Sequence, residues 1–184
     1  MSKSYLNSVK KQFEYYKNLG DNTFDQLDED HFFWESHPEG NSVAIIVKHM
    51  VGNMMSRWTN FFTEDGEKPW RDRDDEFVNS FSSKQEVIDA WKKGWDCLFD
   101  ALSVLKDKDL ESVLYIRNQG HTITEAINRQ LCHYAYHIGQ IVFIGRTLKK
   151  EQWVSLSIPK GQSNFYNKEK FEKDKEWKHF TDDL

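Results

Sequence analysis

The feature of this sequence that most constrains its fold is a set of four long segments in which apolar residues recur every three or four positions. In the third segment the apolar residues follow one another at steps of 4, 3, 4 and 3: Trp91, Trp95, Leu98, Leu102 and Leu105. This spacing places all of their side chains on one face of an α-helix, as in helices that pack into bundles. The chain is therefore predicted to be all-α.

Start and stop signals give approximate bounds for the four helices. They are predicted to run from Ser2 or Ser4 to about Leu27, from Asn41 or Ser42 to Phe62, from Ser82 or Ser83 through Leu105, and from Thr122 to near Lys149. The pairs Ser83/Glu86 and Thr122/Glu125 have the spacing of a capping box. Gly20 allows a kink or break in the first helix.

The remaining segments are predicted to be loops or extended chain. Residues 110–117 alternate imperfectly between apolar and polar and predict a short extended segment, closed by a turn at 118–120. Residues 153–165 also read as extended. We predict one domain over residues 1–165, a four-helix bundle with an extended C-terminal segment, followed by a charged tail over 166–184.

Charge and apolar content exclude several classes of protein. Lys and Arg number 25 against 30 Asp and Glu, a formal charge of −5, which argues against a nucleic-acid binder or a protein of anionic membrane surfaces. No apolar run approaches the ~20 residues of a membrane span. The first residues lack the apolar core of a signal peptide, so a cytoplasmic location is predicted.

The fourth predicted helix contains two histidines, His133 and His137, at positions i and i+4. This spacing lets both imidazoles reach one metal ion. With 7 His in 184 residues, about 0.3 such pairs are expected by chance, so the pair alone is a weak signature. However, Gln130 and Gln140 continue the same polar line beside an apolar face. The alternative interpretation is a polar edge with one hydrogen-bonded core histidine.

A third ligand has to come from another helix, and His49 is the one histidine of the second helix. It lies on a stripe of small and polar residues, and Gly52 leaves room beside its imidazole. The alternative is a half-exposed helix position without function. His31 and His37 lie in a loop and could line a cleft.

The residue after His133 argues against a peptidase. A helical zinc peptidase has the motif H-E-x-x-H, in which the Glu is the general base, and here that position is Tyr134. Three neutral imidazoles would leave the full charge and an open position on a Zn²⁺ or Ni²⁺ ion, which activates a water or a thiol. The acidic run 64–76 is predicted to be a solvated loop.

Several motifs resemble the DinB/YfiT-like superfamily, and most closely a branch of bacterial proteins of unassigned function. They are residues 41–49 with Asn53, Arg57 and Trp58, residues 65–70, residues 125–131 with 133–141, and residues 155–163. The resemblance covers roughly residues 1–165.

The resemblance implies a four-helix bundle with a long crossover connection, usually dimeric, that binds a divalent metal through three histidines. Those positions correspond to His49, His133 and His137, and all three are intact. Relatives include transferases and isomerases that use bacillithiol, mycothiol or glutathione, and the superfamily also has a label of metal-dependent hydrolase. No catalytic base is carried over.

These observations lead to two hypotheses. The first is an enzyme dependent on Zn²⁺ or Ni²⁺. Its preferred reaction is transfer of a small-molecule thiol to an electrophilic substrate, and metal-dependent hydrolysis is the alternative reaction. The second is a non-catalytic, dimeric metal-binding or interaction protein. Asn53 and Gln140, one turn from the proposed ligands, are expected to orient them or the substrate. A homodimer is expected from the wide apolar arc of the second helix: Val47, Met50, Val51, Met54 and Trp58.

Overall fold

Helices account for most of residues 5–182, the part of the chain that the computed structural model describes. The long helices are α1 (Tyr5–Gln26), α2 (Val43–Trp58), α3 (Lys84–Val104) and α4 (Ile123–Lys149), and a short α5 covers Ser163–Phe171. The prediction of a mostly helical chain is confirmed. The proposed N-caps of the first helix, Ser2 and Ser4, lie outside the described residues.

The other three helix starts lie where the capping signals predicted them. The side chains of Ser42, Ser83 and Thr122 each accept a hydrogen bond from the backbone N–H three residues on. At Thr122 the capping box is complete, because Glu125 also accepts from the Thr122 backbone. These caps satisfy N–H groups that would otherwise lack partners within the first turn.

Two predicted helix bounds differ from the structure. Helix α1 continues through Gly20 without a break, and a Cβ at this position would lie 2.5 Å from Cζ2 of Trp91, so the glycine permits close packing on α3. Helix α2 ends at Trp58 instead of Phe62. There the chain turns away, since Thr59 is extended and Asn60 has a φ of 48°.

The four long helices enclose one apolar core. Helix α1 packs against α4, and α2 packs against α3 and, less extensively, α4. The predicted apolar face of α3 lies entirely in this core, and the rings of Phe13, Trp95 and Tyr134 contact one another at its centre. No helix within residues 5–182 has the length and apolar character needed to cross a membrane.

A small β-hairpin interrupts the helical pattern and is an addition to the otherwise all-α chain that was predicted. Strand β1 (Val113–Ile116) pairs antiparallel with β2 (Gln119–Thr122), and the turn between them has positive φ at Arg117 and Asn118. Strand β1 lies within the predicted extended segment. Gln119 and Gly120 of the predicted turn belong to β2, so the turn comes one to two residues earlier than predicted. Positive φ at two successive positions is the geometry of a two-residue hairpin turn.

The C-terminal part differs from the predicted extended segment and tail. Residues 163–165 belong to helix α5 and are not extended. The tail then returns to α1, where His179 Nε2 lies 3.1 Å from Ser8 Oγ, the ring of Phe180 contacts Tyr15, and Asp182 pairs with Lys11. The domain boundary at residue 165 stays a prediction.

The apolar arc of α2 is not an exposed patch. Val47, Met50, Met54 and Trp58 are buried in the core of this chain and Val51 is half-buried. The argument for a dimer from this face was therefore wrong, because α3 and α4 already cover the face. The homodimer itself stays a prediction.

Candidate metal centre

Helices α2 and α4 bring the three predicted ligands together. His49 is on α2, and His133 and His137 are one turn apart on α4. The Nε2 atom of His133 lies 3.2 Å from that of His49 and 3.0 Å from that of His137. One nitrogen from each of the three side chains lies within 4.8 Å of the others. His49 is buried and the other two are half-buried, so the cluster lies at the margin of the core.

Hydrogen bonds on the far side of two rings define their tautomers. His49 Nδ1 lies 2.9 Å from Oε2 of Glu76, and His137 Nδ1 lies 2.7 Å from Oε1 of Gln140. A carboxylate oxygen and an amide oxygen accept hydrogen bonds, so each Nδ1 has to carry a hydrogen. In the neutral rings, the Nε2 lone pairs of His49 and His137 therefore face His133.

The three Nε2 atoms cannot all be satisfied by hydrogen bonds among themselves. His133 Nε2 lies between the Nε2 lone pairs of His49 and His137, and its single N–H can donate to only one of them. Burial, followed by the neighbouring His137 and His49, lowers the pKa of His133 to about 3, and burial also lowers the pKa of His137. Protonation of these rings is thus disfavoured near neutral pH, and a cation among the nitrogens would satisfy the facing lone pairs.

The donor set fits a divalent transition metal. Imidazole nitrogens bind Zn²⁺ at about 2.0–2.1 Å, which puts two ligands of a tetrahedral ion roughly 3.3 Å apart. The two Nε2 separations of 3.2 and 3.0 Å are close to this value. Imidazole suits Zn²⁺ and Ni²⁺ alike, so the geometry does not separate the two metals.

Glu76 and Arg71 form a chain of hydrogen bonds on the Nδ1 side of His49. Arg71 donates from Nε to Oε1 of Glu76 at 2.7 Å and from Nη2 to Oε2 at 2.8 Å. Burial would raise the pKa of Glu76, but the hydrogen bonds from His49 and Arg71 and the charge of Arg71 outweigh burial and lower the pKa. The ionised carboxylate orients the His49 ring, and Phe77 stacks on that ring with centroids 4.9 Å apart.

A comparison with models of protein families assigns the chain to a family. The model of a family described as "Protein of unknown function (DUF1572)" matches residues 1–162. The chain belongs to this family. The match includes all three histidines together with Glu76 and ends just before α5. No curated protein and no solved structure matches the chain.

The role of Glu76 in this DUF1572 chain was missed in the sequence, where residues 64–76 read as a solvated loop. Glu76 is only 5% exposed, so that prediction was wrong for this residue. A signal was present at Gly52, three residues after His49. A Cβ at Gly52 would lie 2.1 Å from Oε1 of Glu76, so the space beside the imidazole is the space that the carboxylate occupies.

The two residues expected to orient the ligands, Gln140 and Asn53, make different contacts. Gln140 contacts His137 directly, as described above. Asn53 instead accepts a hydrogen bond from the Tyr134 hydroxyl at 3.1 Å, and that hydroxyl also accepts from Nε1 of Trp58. The Tyr134 hydroxyl thus links α4 to α2. Burial raises the pKa of Tyr134, so this residue is a poor proton donor.

The loop histidines also have separate places. His37 lines a cavity of about 550 Å³ beside α4, in agreement with the expectation that it could line a cleft. His31 is not among the residues that line this cavity, and its Nδ1 accepts a hydrogen bond from the backbone of Asp28. Neither residue belongs to the histidine cluster.

Proposed function

We propose that this chain is a metal-dependent enzyme in which His49, His133 and His137 bind one Zn²⁺ or Ni²⁺ ion. The observation that carries the proposal is the convergence of three imidazole nitrogens, two of them with hydrogen-bonded Nδ1 atoms that leave Nε2 free to bind. Histidine ligands of metals characteristically donate their other N–H to a carboxylate or a carbonyl oxygen. Glu76 and Gln140 supply these acceptors here.

The proposal includes a DinB/YfiT-like four-helix bundle as the scaffold. Four long helices, the contacts of α1 with α4 and of α2 with α3 and α4, and a long connection over residues 59–83 support this assignment. In this view the connection between α2 and α3 has a second role besides joining the two helices. It delivers Glu76 and Arg71 to the histidine cluster.

The favoured reaction is transfer of a small-molecule thiol to an electrophilic substrate. A divalent ion with three neutral imidazole ligands lowers the pKa of a thiol or a water at its open position. A thiol activated in this way needs no separate base. That is consistent with this cluster, because Glu76 is already engaged by His49 and Arg71 and Tyr134 is fully buried.

The metal site is tested by elemental analysis of protein purified without chelators or affinity metal. We expect about one divalent ion per chain, and loss of binding in His133→Ala and in His137→Ala. Asn128→Ala, a change on the exposed side of α4, is a control that should keep the metal. Full metal content in both histidine variants would place the site elsewhere.

The reaction is tested with Co²⁺ or Ni²⁺ in place of the native metal. Titration with glutathione, bacillithiol or mycothiol should produce a new charge-transfer band, and conjugation to a generic electrophile should require the metal. The band should be absent in His137→Ala. Ester or amide cleavage without any spectral response to thiols would instead identify a hydrolase, and a metal-loaded protein with neither activity would identify a non-catalytic metal-binding protein.

A further inference from the structure

The cavity beside α4 lies next to the histidine cluster on the same helix. Six of its lining residues follow one another on one face of α4: Tyr136, Gly139, Gln140, Phe143, Ile144 and Thr147. This face begins beside His137 and continues for about 15 Å towards the C-terminus of the helix. Gln140 belongs to both places, because it lines the cavity and accepts the hydrogen bond of His137.

Aromatic side chains surround this cavity and remain exposed. Trp34, Tyr136 and Phe143 are between 38% and 71% exposed although all three are large and apolar. Clusters of exposed aromatic residues around a concave site are typical of ligand pockets, and about 550 Å³ is within the size range of small-molecule sites.

Gly139 keeps one wall of the cavity free of side-chain atoms. It lies in the middle of α4, where glycine is less stable than alanine because of its conformational freedom. Packing does not require this glycine, since a Cβ built there would have no atom within 4 Å, and its φ is not positive. The remaining consequence of a glycine at this position is open space in the cavity.

The charge of the lining restricts the ligand. Among the lining residues of the described chain, Glu39 is the one carboxylate, and none is Lys or Arg. His37 is the one lining residue that can carry a positive charge, so a carboxylate, sulfonate or phosphate would have at most this imidazole as a cationic partner and would face Glu39. An uncharged or cationic aromatic group has no such conflict.

We propose that this cavity binds the aromatic group of a small-molecule substrate without negative charge and holds its reactive end beside His137. The proposal rests on the metal-dependent function proposed above, because it names the substrate class of the same site. The same charge argument disfavours an anionic thiol co-substrate in this cavity, so we assign the cavity to the electrophile.

Three ligands with one ring system and different charges test the proposal: 1-naphthalenemethanol, 1-naphthylmethylamine and 1-naphthoate. Binding is measured by calorimetry and by saturation-transfer NMR, with and without Zn²⁺. We expect the alcohol and the amine to bind the wild-type chain in both states, and the carboxylate to bind at least about tenfold more weakly.

Gly139→Leu is the decisive variant, because Gly139 lines the cavity and a Cβ at this position meets no atom within 4 Å, so we expect the larger side chain to fill the cavity. Binding of the alcohol and the amine should be lost, while zinc content is unchanged and the melting temperature is equal or higher. Arg129→Leu, an equally exposed position of α4 outside the cavity, is the matched control and should bind both ligands normally.

Several results would overturn the proposal. These are equal binding of naphthoate, full ligand binding by Gly139→Leu, or a lower oligomeric mass of Gly139→Leu, which would make the cavity an interface between copies of the chain. A wild-type protein that binds zinc but none of the three ligands contradicts the cavity proposal alone. A wild-type protein that binds the alcohol and amine but no zinc contradicts the metal function alone.

Discussion

At the scale of single residues, the candidate site depends on what each histidine contacts on its far side. His49 has an ionised carboxylate behind it and His137 has an amide oxygen. These partners determine which nitrogen of His49 and of His137 has a free lone pair, which is the arrangement expected of histidines that bind a metal. Glu76 is a positioning residue in this scheme, because it acts through His49.

Glu76→Gln should weaken zinc binding by about 10- to 100-fold, the usual effect of removing such a partner. The amide keeps the shape of the side chain but removes the negative charge that pairs with Arg71 and His49. The measurement is competition with a chromophoric zinc chelator, and circular dichroism verifies the fold.

The neighbouring Asp75→Asn is the matched control for this change. Asp75 is exposed and pairs with Lys48, which is not part of the histidine cluster, so the zinc affinity of Asp75→Asn should equal that of the wild type. Equal affinities in Glu76→Gln and Asp75→Asn would contradict the positioning role of Glu76.

At the scale of elements, two helical glycines have opposite environments. Gly52 on α2 faces Glu76 and has no room for a methyl group, whereas Gly139 on α4 faces open space. Helix propensity favours alanine at both positions by about 0.5–1 kcal/mol. Packing alone should therefore separate the effects of the same substitution on the two helices.

Gly139→Ala should raise the free energy of unfolding by about 0.5–1 kcal/mol and leave zinc affinity unchanged. Gly52→Ala should lack this gain and should bind zinc more weakly, because the new methyl group displaces the Glu76 carboxylate from His49 and Arg71. Chemical denaturation and zinc competition measure the two quantities. A stabilised Gly52→Ala protein with normal zinc affinity would show that Glu76 has space to move.

At the scale of the whole molecule, a metal ion between α2 and α4 would link two helices that have fewer contacts with each other than α2 has with α3. His49 and His133, the nearest two of the proposed ligands on different helices, are 84 residues apart in the chain. Metal binding should thus be coupled to the stability of the whole domain, since the unfolded chain does not hold the three histidines together.

Free Zn²⁺ at about 100 times its dissociation constant should stabilise the protein by roughly 2.7 kcal/mol. For a chain of this length that corresponds to a rise of roughly 5–11 °C in the melting temperature. Calorimetric scans with zinc and with EDTA measure the difference. The double variant with His133→Ala and His137→Ala should show no rise in melting temperature. A wild-type melting temperature that does not change with zinc would contradict a specific site.

The homodimer is the second prediction at this scale and now depends on the family resemblance, since the apolar face of α2 is buried. Light scattering should give about twice the chain mass of 21.9 kDa. A mass near 21.9 kDa in dilute solution would identify a monomer. The site needs no second copy for its three histidines, so a monomer would leave the metal proposal intact.

Local sequence patterns determined the features that depend on residues a few positions apart. The starts of α2, α3 and α4 were predicted from caps that bond three residues onward, and the His133–His137 pair follows from one helical turn. The apolar repeat of α3 likewise predicted which side chains enter the core. In each of these cases the deciding contact lies within one turn or one face of a single helix.

Only the tertiary structure decided the features that depend on distant parts of the chain. Helix α1 continues through Gly20, against which Trp91 packs, and Glu76 leaves solvent because Arg71 and His49 pair with it. A sequence pattern reports which side chains share a face of a helix. Which buried charge meets which partner depends on how elements pack, because the desolvation of a carboxylate is offset only by the partners that folding brings to it.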